Sequence, residues 1–515
     1  MKSVPTTRPA RDYRLPLILL LALGLRLGLV AGGGQFFFGD ENRHERGVAL
    51  YQALRTGDAA GIRATFARPE HIGFTVLGAG VTGLQHLTAQ LTARGDWRKP
   101  ENTIFTLPLA AGWLAVFSVL NIALVHAIAR RAGADATEAA WAALLMAASN
   151  TGFYFARHFL PYDAALAFAL TALWCGRRGQ RSLATGALAG LCYHVYNGYW
   201  YLVPVVLALH VLADNANRSR LRRALAAGIG AGLALAFPLI AGLALDGRNY
   251  WQTMVAFSGT VNHGLYREGA TLPWEYLWHS EGAFGVAVAA AIAAALFVTR
   301  RAGRALGPAA RLGLAGLAMS YAWLVLFSVG LGKFVVYART VKPFIPFLAL
   351  AGGWAVARLL AGRPGHARLA ALVVVAAAAL QFAPHFSRIF PAEAEVRVLR
   401  EFGNPKHSLS VAGSLYAPLA LPVQRPDLAL VNAQLLFPVR SYLGYPAGTP
   451  VLSLEHPLSY LPFQYESHNP RERALLREND IRIRLIRLAD PAAVPNDLRP
   501  ELRFTAADRP DGRRR

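Results

Sequence analysis

Residues 103–131 read TIFTLPLAAGWLAVFSVLNIALVHAIARR, and this stretch decides the fold class. From Thr103 to Ala129 it holds no Asp, Glu, Lys or Arg, and it stops at Arg130-Arg131. About 20 apolar residues in a helix cross the hydrocarbon core of a bilayer, so this run is long enough to span one. Comparable apolar runs recur at 15–34, 139–155, 161–175, 224–245, 282–299, 312–331, 344–360 and 369–383. The chain is therefore expected to be mainly α, a polytopic bundle of transmembrane helices. Its composition agrees: of 515 residues 54% are hydrophobic and only 16% charged, against ~25% charged in ordinary soluble chains. That balance excludes a soluble multidomain enzyme, and it excludes disorder, which needs low hydrophobicity and high charge. The two cysteines, Cys175 and Cys192, both fall in apolar surroundings. A disulfide framework or a cysteine zinc cluster is excluded with them.

The net charge of +23 would suit a nucleic-acid binder, but its distribution does not. Residues 385–515 hold 18 Lys/Arg and 14 Asp/Glu, so +19 belongs to residues 1–384, as short Arg bursts between apolar runs. Such bursts are what the positive-inside rule places in cytoplasmic loops. A contiguous basic surface, which counterion release from nucleic acid needs, is not what they form. The expected partner is the membrane, with no nucleic acid.

The bursts also set a topology. Lys2, Arg8, Arg11 and Arg14 precede the first run. A signal peptide is the competing assignment, but the length of the run and the Phe36-Phe37-Phe38 cluster favour an uncleaved helix with a cytoplasmic N-terminus. Residues 35–102 form an outer connection in which 72–91 lies along the interface. Arg177, Arg178 and Arg181 lie on one side of residues 182–213, and Arg218, Arg220, Arg222 and Arg223 on the other. Both bursts are cytoplasmic only if this stretch crosses twice, as two short helices breaking near Tyr196-Asn197-Gly198. Residues 246–281 make an aromatic-rich outer loop. The sum is about 11 spans, with the C-terminus outside the cytoplasmic membrane.

After Pro384 the pattern changes. Residues 409–412, 429–431, 450–454 and 481–488 read as short strands and 471–478 as a helix. The expected organisation is a membrane domain, 1–384, and a small extracytoplasmic α/β domain, 385–515.

Three constellations could carry chemistry. Asp40-Glu41 stands just after the first run, where two carboxylates must face water or a polar cavity; capping and helix-dipole roles also fit. Arg157-His158-Phe159-Leu160-Pro161-Tyr162-Asp163 enters the fourth span. Pro161 and Asp163 alone would suit a helix start, yet an Arg, a His and an Asp meet at one membrane boundary. Lys333, Arg339 and Lys342 fall on the outer face against the charge rule. They would snorkel to headgroups or hold a phosphate, for which Arg offers a bidentate fork.

These residues, with Tyr51-Gln52-Ala53-Leu54, Gly57-Asp58, Pro69-Glu70-His71-Ile72 and Pro343-Phe344-Ile345-Pro346-Phe347, occur in an order and spacing that resembles the GT-C superfamily of membrane glycosyltransferases. The similarity is to the bacterial relatives of protein O-mannosyltransferases and of the lipid A aminoarabinose transferase, over roughly residues 15–385. The resemblance implies a sugar donor on a polyprenyl phosphate and inversion at the anomeric carbon. It implies Asp40 as the catalytic base with Glu41 beside it, and Asp163 as the second acidic position. Arg339, with Lys342 or Lys333, would hold the carrier phosphate, and Arg157 and His158 would also meet substrate. Glu70-His71-Ile72-Gly73 stands where the family has His-Pro-Pro, and His71 is expected at the substrate there. A divalent metal on Asp40, Glu41 and Asp163 is compatible with oxygen ligands, but the sequence demands none. Two other functions use the same features: a transporter or flippase of lipid-linked sugars, and a lipid-diphosphate-dependent oligosaccharide polymerase or ligase. The C-terminal residues carry no motif that names the acceptor.

Overall fold

The computed structural model describes residues 12–33, 35, 40–66, 71–92, 103–177, 181–213, 219–246 and 266–387, and four strands beyond them. The described chain up to residue 387 is helical. Helix α1 is Arg14–Ala31, α2 Asp40–Thr56, α3 Ala59–Phe66, α4 Ile72–Leu91 and α5 Thr103–Arg131. Then come α6 Ala136–Ala148, α7 Asn150–Phe155, α8 Tyr162–Gly176, α9 Ser182–Val195 and α10 Leu202–Val211. The last are α11 Arg220–Asp246, α12 Leu272–Arg301, α13 Pro308–Val325, α14 Ala338–Val341, α15 Phe344–Leu359 and α16 Pro364–Ser387.

Among the described residues six helical stretches are long and apolar enough to cross a membrane: Arg14–Ala31, Thr106–Arg131, Arg220–Ala244, Leu272–Arg301, Pro308–Gly330 and Pro364–Phe386. The other expected spans correspond to shorter helices. The run at 139–155 breaks at Ser149, whose extended backbone ends α6 and whose hydroxyl accepts from the Gly152 amide to start α7. The run at 161–175 is α8, of 15 residues, and that at 344–360 is α15, of 16. The stretch 182–213 is indeed two short helices, α9 and α10, joined by a 3₁₀ turn at Asn197–Tyr199. The outer loop expected at 246–281 needs correcting. Residues from Leu272 are already helical, and α12 runs through 281 with a break at Gly282, φ 52° and ψ −139°. Pro273 in the first turn starts that helix early, where its missing N–H costs nothing.

Length and burial sort the helices into two layers. Helices α6, α8 and α15 are buried almost all round, with Ala142, Ala143, Ala164, Ala165, Ala351 and Ala355 at or below 1% exposure. A helix apolar on every face belongs in an interior. The long helices α1, α11, α12 and α16 leave apolar side chains on their outer faces, among them Leu20, Leu233, Phe297 and Leu372. Contacts between helices rest on small residues, as lipid offers no hydrophobic drive to associate. A Cβ at Gly186 would collide with the Ala227 carbonyl, and one at Gly230 with that of Leu183, so α9 and α11 touch backbone to backbone.

Beyond residue 387 the four strands are β1 Leu419–Ala420, β2 Leu428–Asn432, β3 Pro450–Leu458 and β4 Ile481–Arg487. They form one antiparallel sheet in the order β1-β2-β4-β3, with Val431 and Ser453 both paired to Arg484. The stretches 409–412 and 471–478, expected as strand and helix, lie outside the described residues.

Candidate active site

The outer-face cations of the third constellation separate into different environments. Lys342, just after α14, is fully buried, and its Nζ lies 2.8 Å from Asp163 Oδ2 at the start of α8. Asn121 of α5 donates to Asp163 Oδ1 at 3.3 Å and to its carbonyl at 3.0 Å. The ammonium also sits 4.9 Å from the centre of the Phe155 ring. Two of the expected site residues are thus paired with each other. In this geometry Asp163 needs Lys342, because an unpaired carboxylate in so dry a place would cost several kcal/mol.

Arg339 stands on a floor of tyrosines. Its Nε donates to the Tyr196 hydroxyl at 3.0 Å, and its guanidinium lies 4.2 Å from the centre of the Tyr337 ring. Tyr199 donates to the Arg339 carbonyl at 3.2 Å and Tyr201 to that of Thr340 at 2.6 Å, which pins the short α14 to the link between α9 and α10. The Asn-Gly break in the sequence thus has a function in the fold: it turns three tyrosines toward the arginine segment. Tyr196 also meets the His71 ring at 5.1 Å and the Tyr162 ring at 4.8 Å, so one side chain joins three of the sequence motifs.

His71 holds a left-handed backbone, φ 58° and ψ 35°, at the start of α4, with its amide donating to Asn197 Oδ1 at 3.0 Å. A non-glycine residue in that region is uncommon and is held there by its surroundings. Burial, then the charges of Arg43, Arg46 and Arg339, hold the His71 imidazole well below its ordinary range. Positive charge from α2 and from α14 therefore converges on one place. Sequence reasoning did not single out Arg43 and Arg46. The signal was available: on a helix, residues three apart share a face.

Asp40 and Glu41 open α2, but their side chains lie outside the described residues, as do residues 36–39. Three and six residues further along the same helix, Arg43 and Arg46 act on His71. Lys333 is exposed, with its backbone amide on the Phe327 carbonyl. Arg157 is fully buried and donates from Nη2 to the His385 carbonyl at 3.0 Å, and His158 packs on Tyr154 with ring centres 5.1 Å apart. Among the described residues no three His, Cys, Asp or Glu side chains lie together as a metal ion would need. The trio Asp40, Glu41 and Asp163 is only partly among them.

One buried carboxylate was missed altogether. Glu281, at the break in α12, accepts from the Ser149 hydroxyl at 3.1 Å and the Thr151 amide at 2.9 Å through Oε1, and from the Asn150 amide at 2.9 Å through Oε2. A lone Glu beside a long apolar run was the available signal, since such residues are retained only for a reason.

No protein-family model matches the chain, and no curated protein does. Among solved structures it is similar to ArnT from Cupriavidus metallidurans in the apo state, at 18% identity and a TM-score of 0.44, over 75% of this chain and 68% of that one. It is also similar to ArnT from Cupriavidus metallidurans bound to undecaprenyl phosphate, at 15% identity and a TM-score of 0.42, over 76% and 73% of the two chains.

Proposed function

We propose that this chain is an inverting glycosyltransferase that moves a sugar from a polyprenyl-phosphate carrier to an acceptor hydroxyl at the outer face of the cytoplasmic membrane. One observation carries this reading: Arg339 and His71 share Tyr196, and the charges of Arg43 and Arg46 reach the same place from the helix that begins with Asp40-Glu41. A cationic site reached by the helix that opens with two acidic residues, on a bundle with six membrane-length helices among the described residues, suits a lipid-borne phosphate ester. The resemblance of the ordered motifs supports the same chemistry.

The carrier phosphate would meet Arg339, whose fork offers two parallel N–H donors. Asp40 would accept the acceptor proton as its oxygen attacks the anomeric carbon from the face opposite the phosphate. Positive charge at Arg339 and at Arg157 would then offset the charge that grows on the departing phosphate. A single displacement inverts the centre, whereas retention would take two. The N-terminus would be cytoplasmic and residues 385–515 outside.

Comparative mass spectrometry of envelope lipids, polymers and glycoproteins tests this. Cells bearing wild-type protein should show a hexose- or pentose-sized increment that cells bearing Asp40→Asn lack. Purified Asp40→Asn should turn over donor ~10²–10⁴-fold more slowly, the range for a positioned base, with carrier binding retained. Identical glycan profiles alongside preserved movement of lipid-linked sugar between leaflets would identify a flippase instead.

A further inference from the structure

The break in α12, the start of α7 and the end of α16 meet in a polar cluster that the proposed chemistry does not use. Glu281 supplies both carboxylate oxygens to the first amides of α7 and to Ser149, as described above. Asn150 continues the chain. Its Nδ2 donates to the Ser280 carbonyl at 2.7 Å, which turns its Oδ1 toward His385 Nε2, also at 2.7 Å. That pairing requires the proton of His385 on Nε2. The His385 carbonyl then receives Arg157 Nη2 at 3.0 Å. Gln381, one turn earlier on α16, donates to the Glu281 carbonyl at 3.2 Å and ties the two ends of the cluster.

The cluster does more than a helix cap needs. Ser149 already caps α7 through the Gly152 amide. Adding a buried carboxylate from a helix 131 residues away costs desolvation that a neutral cap would not. What it gains is position. Both Glu281 oxygens face N–H donors, so the register of α7 against α12 is fixed from two sides. Residues 156–158 follow directly from that helix. Every hydrogen bond from Glu281 to Arg157 is buried or half-buried, where water competes least.

We propose that Glu281, Asn150 and His385 are positioning residues that set the Arg157 guanidinium for the departing phosphate. This rests on Arg157 being a contact of the lipid-carrier phosphate, as the proposed function has it. Glu281→Gln is the sharpest probe: whichever way its amide turns, an NH₂ faces a backbone N–H that a carboxylate accepted. Asn150→Ala removes the link to His385 and keeps the helix. His385→Gln retains a donor near Nε2.

The full chain in detergent is tested in two ways. Binding of a polyprenyl phosphate without sugar should weaken about tenfold in Asn150→Ala and in Glu281→Gln, the worth of one lost buried hydrogen bond. His385→Gln should recover most of the affinity lost in His385→Ala. In an Arg157→Ala background neither substitution should weaken binding further, since residues acting through one another are not additive. Separately, modification of Arg157 by a guanidine-directed dicarbonyl, read by mass spectrometry, should be slow in wild-type protein and faster in Asn150→Ala and Glu281→Gln. Equal losses with and without Arg157, or Arg157 equally protected in folded variants, would overturn the proposal. Failure of wild-type protein to bind polyprenyl phosphate would overturn the proposed function instead, and the modification rates would still decide whether Arg157 is positioned by this cluster.

Discussion

Two buried carboxylates of this protein are satisfied in opposite ways. Asp163 is held by a full positive charge, Lys342 at 2.8 Å, with one amide donor beside it. Among the described residues Glu281 has no cation as a hydrogen-bond partner; two backbone amides and a hydroxyl supply its donors. The first arrangement joins two segments far apart in sequence through charge, and each partner is expensive to leave alone. The second spreads the load over neutral groups and depends on the carboxylate having no proton to donate. An ion pair is a point contact, whereas a set of amides fixes a direction. That difference suits their places. Lys342 tethers the arginine segment, and Glu281 aims a helix.

The largest effect should come from breaking the ion pair. Lys342→Met leaves a buried anion and should lower stability by about 3–5 kcal/mol, read as thermal unfolding in detergent, with Asp163→Asn in the same chain restoring much of it. A single variant that melts like wild type would mean that water reaches Asp163 and that the pair is no tether. Next, Arg339→Ala should weaken carrier-phosphate binding by about 1.5–3 kcal/mol, as for hydrogen bonds to charged groups, and Arg339→Lys should recover only part because the fork is lost. Equal affinity would assign the arginine to headgroups. Glu281→Gln should cost about 1–3 kcal/mol of stability, less than the ion pair, because only one of the carboxylate's contacts turns repulsive. If it cost more than Lys342→Met, the set of amides and not the ion pair would be the stronger hold. The smallest effect tests burial without any ionic partner. His44 bonds the Thr106 hydroxyl at 3.1 Å, and burial lowers its imidazole to about 4 from an ordinary 6.5. Between those values the unfolded chain binds more protons, so stability falls as pH is lowered through that window. Between pH 7 and 6 the loss should stay under about 1 kcal/mol, and His44→Gln should flatten the acid limb of the stability curve.

Much of the helical architecture was legible because apolar runs and Arg bursts are local signals. The run at 103–131 became α5, and the Asn-Gly break became the turn between α9 and α10. The break at Ser149 was not read, although Ser149-Asn150-Thr151-Gly152 is a polar, turn-type cluster inside an apolar run. Nor was the pairing of Asp163 with Lys342. Both residues stood out for their charge in an apolar setting, but nothing local says that each is the other's partner. Asn150 and His385 lie 235 residues apart, and only the folded bundle gives either a meaning. Glu281 was hidden by its position at the edge of an expected loop, where an exposed carboxylate would have been ordinary.

The break at Gly282 also sets a length. An unbroken α12 of 30 residues would reach about 45 Å, well beyond a hydrocarbon core of about 30 Å. The 19 residues of 283–301 measure about 28 Å, which fits that core without tilt. The turns before the break carry the exposed Trp274 and Trp278, residues suited to the headgroup zone. A left-handed glycine thus works as a ruler mark: it divides one continuous helix into a part cut to bilayer thickness and a part held against α7, where Tyr276 donates to the Thr151 hydroxyl at 3.2 Å, and it leaves Glu281 at the junction.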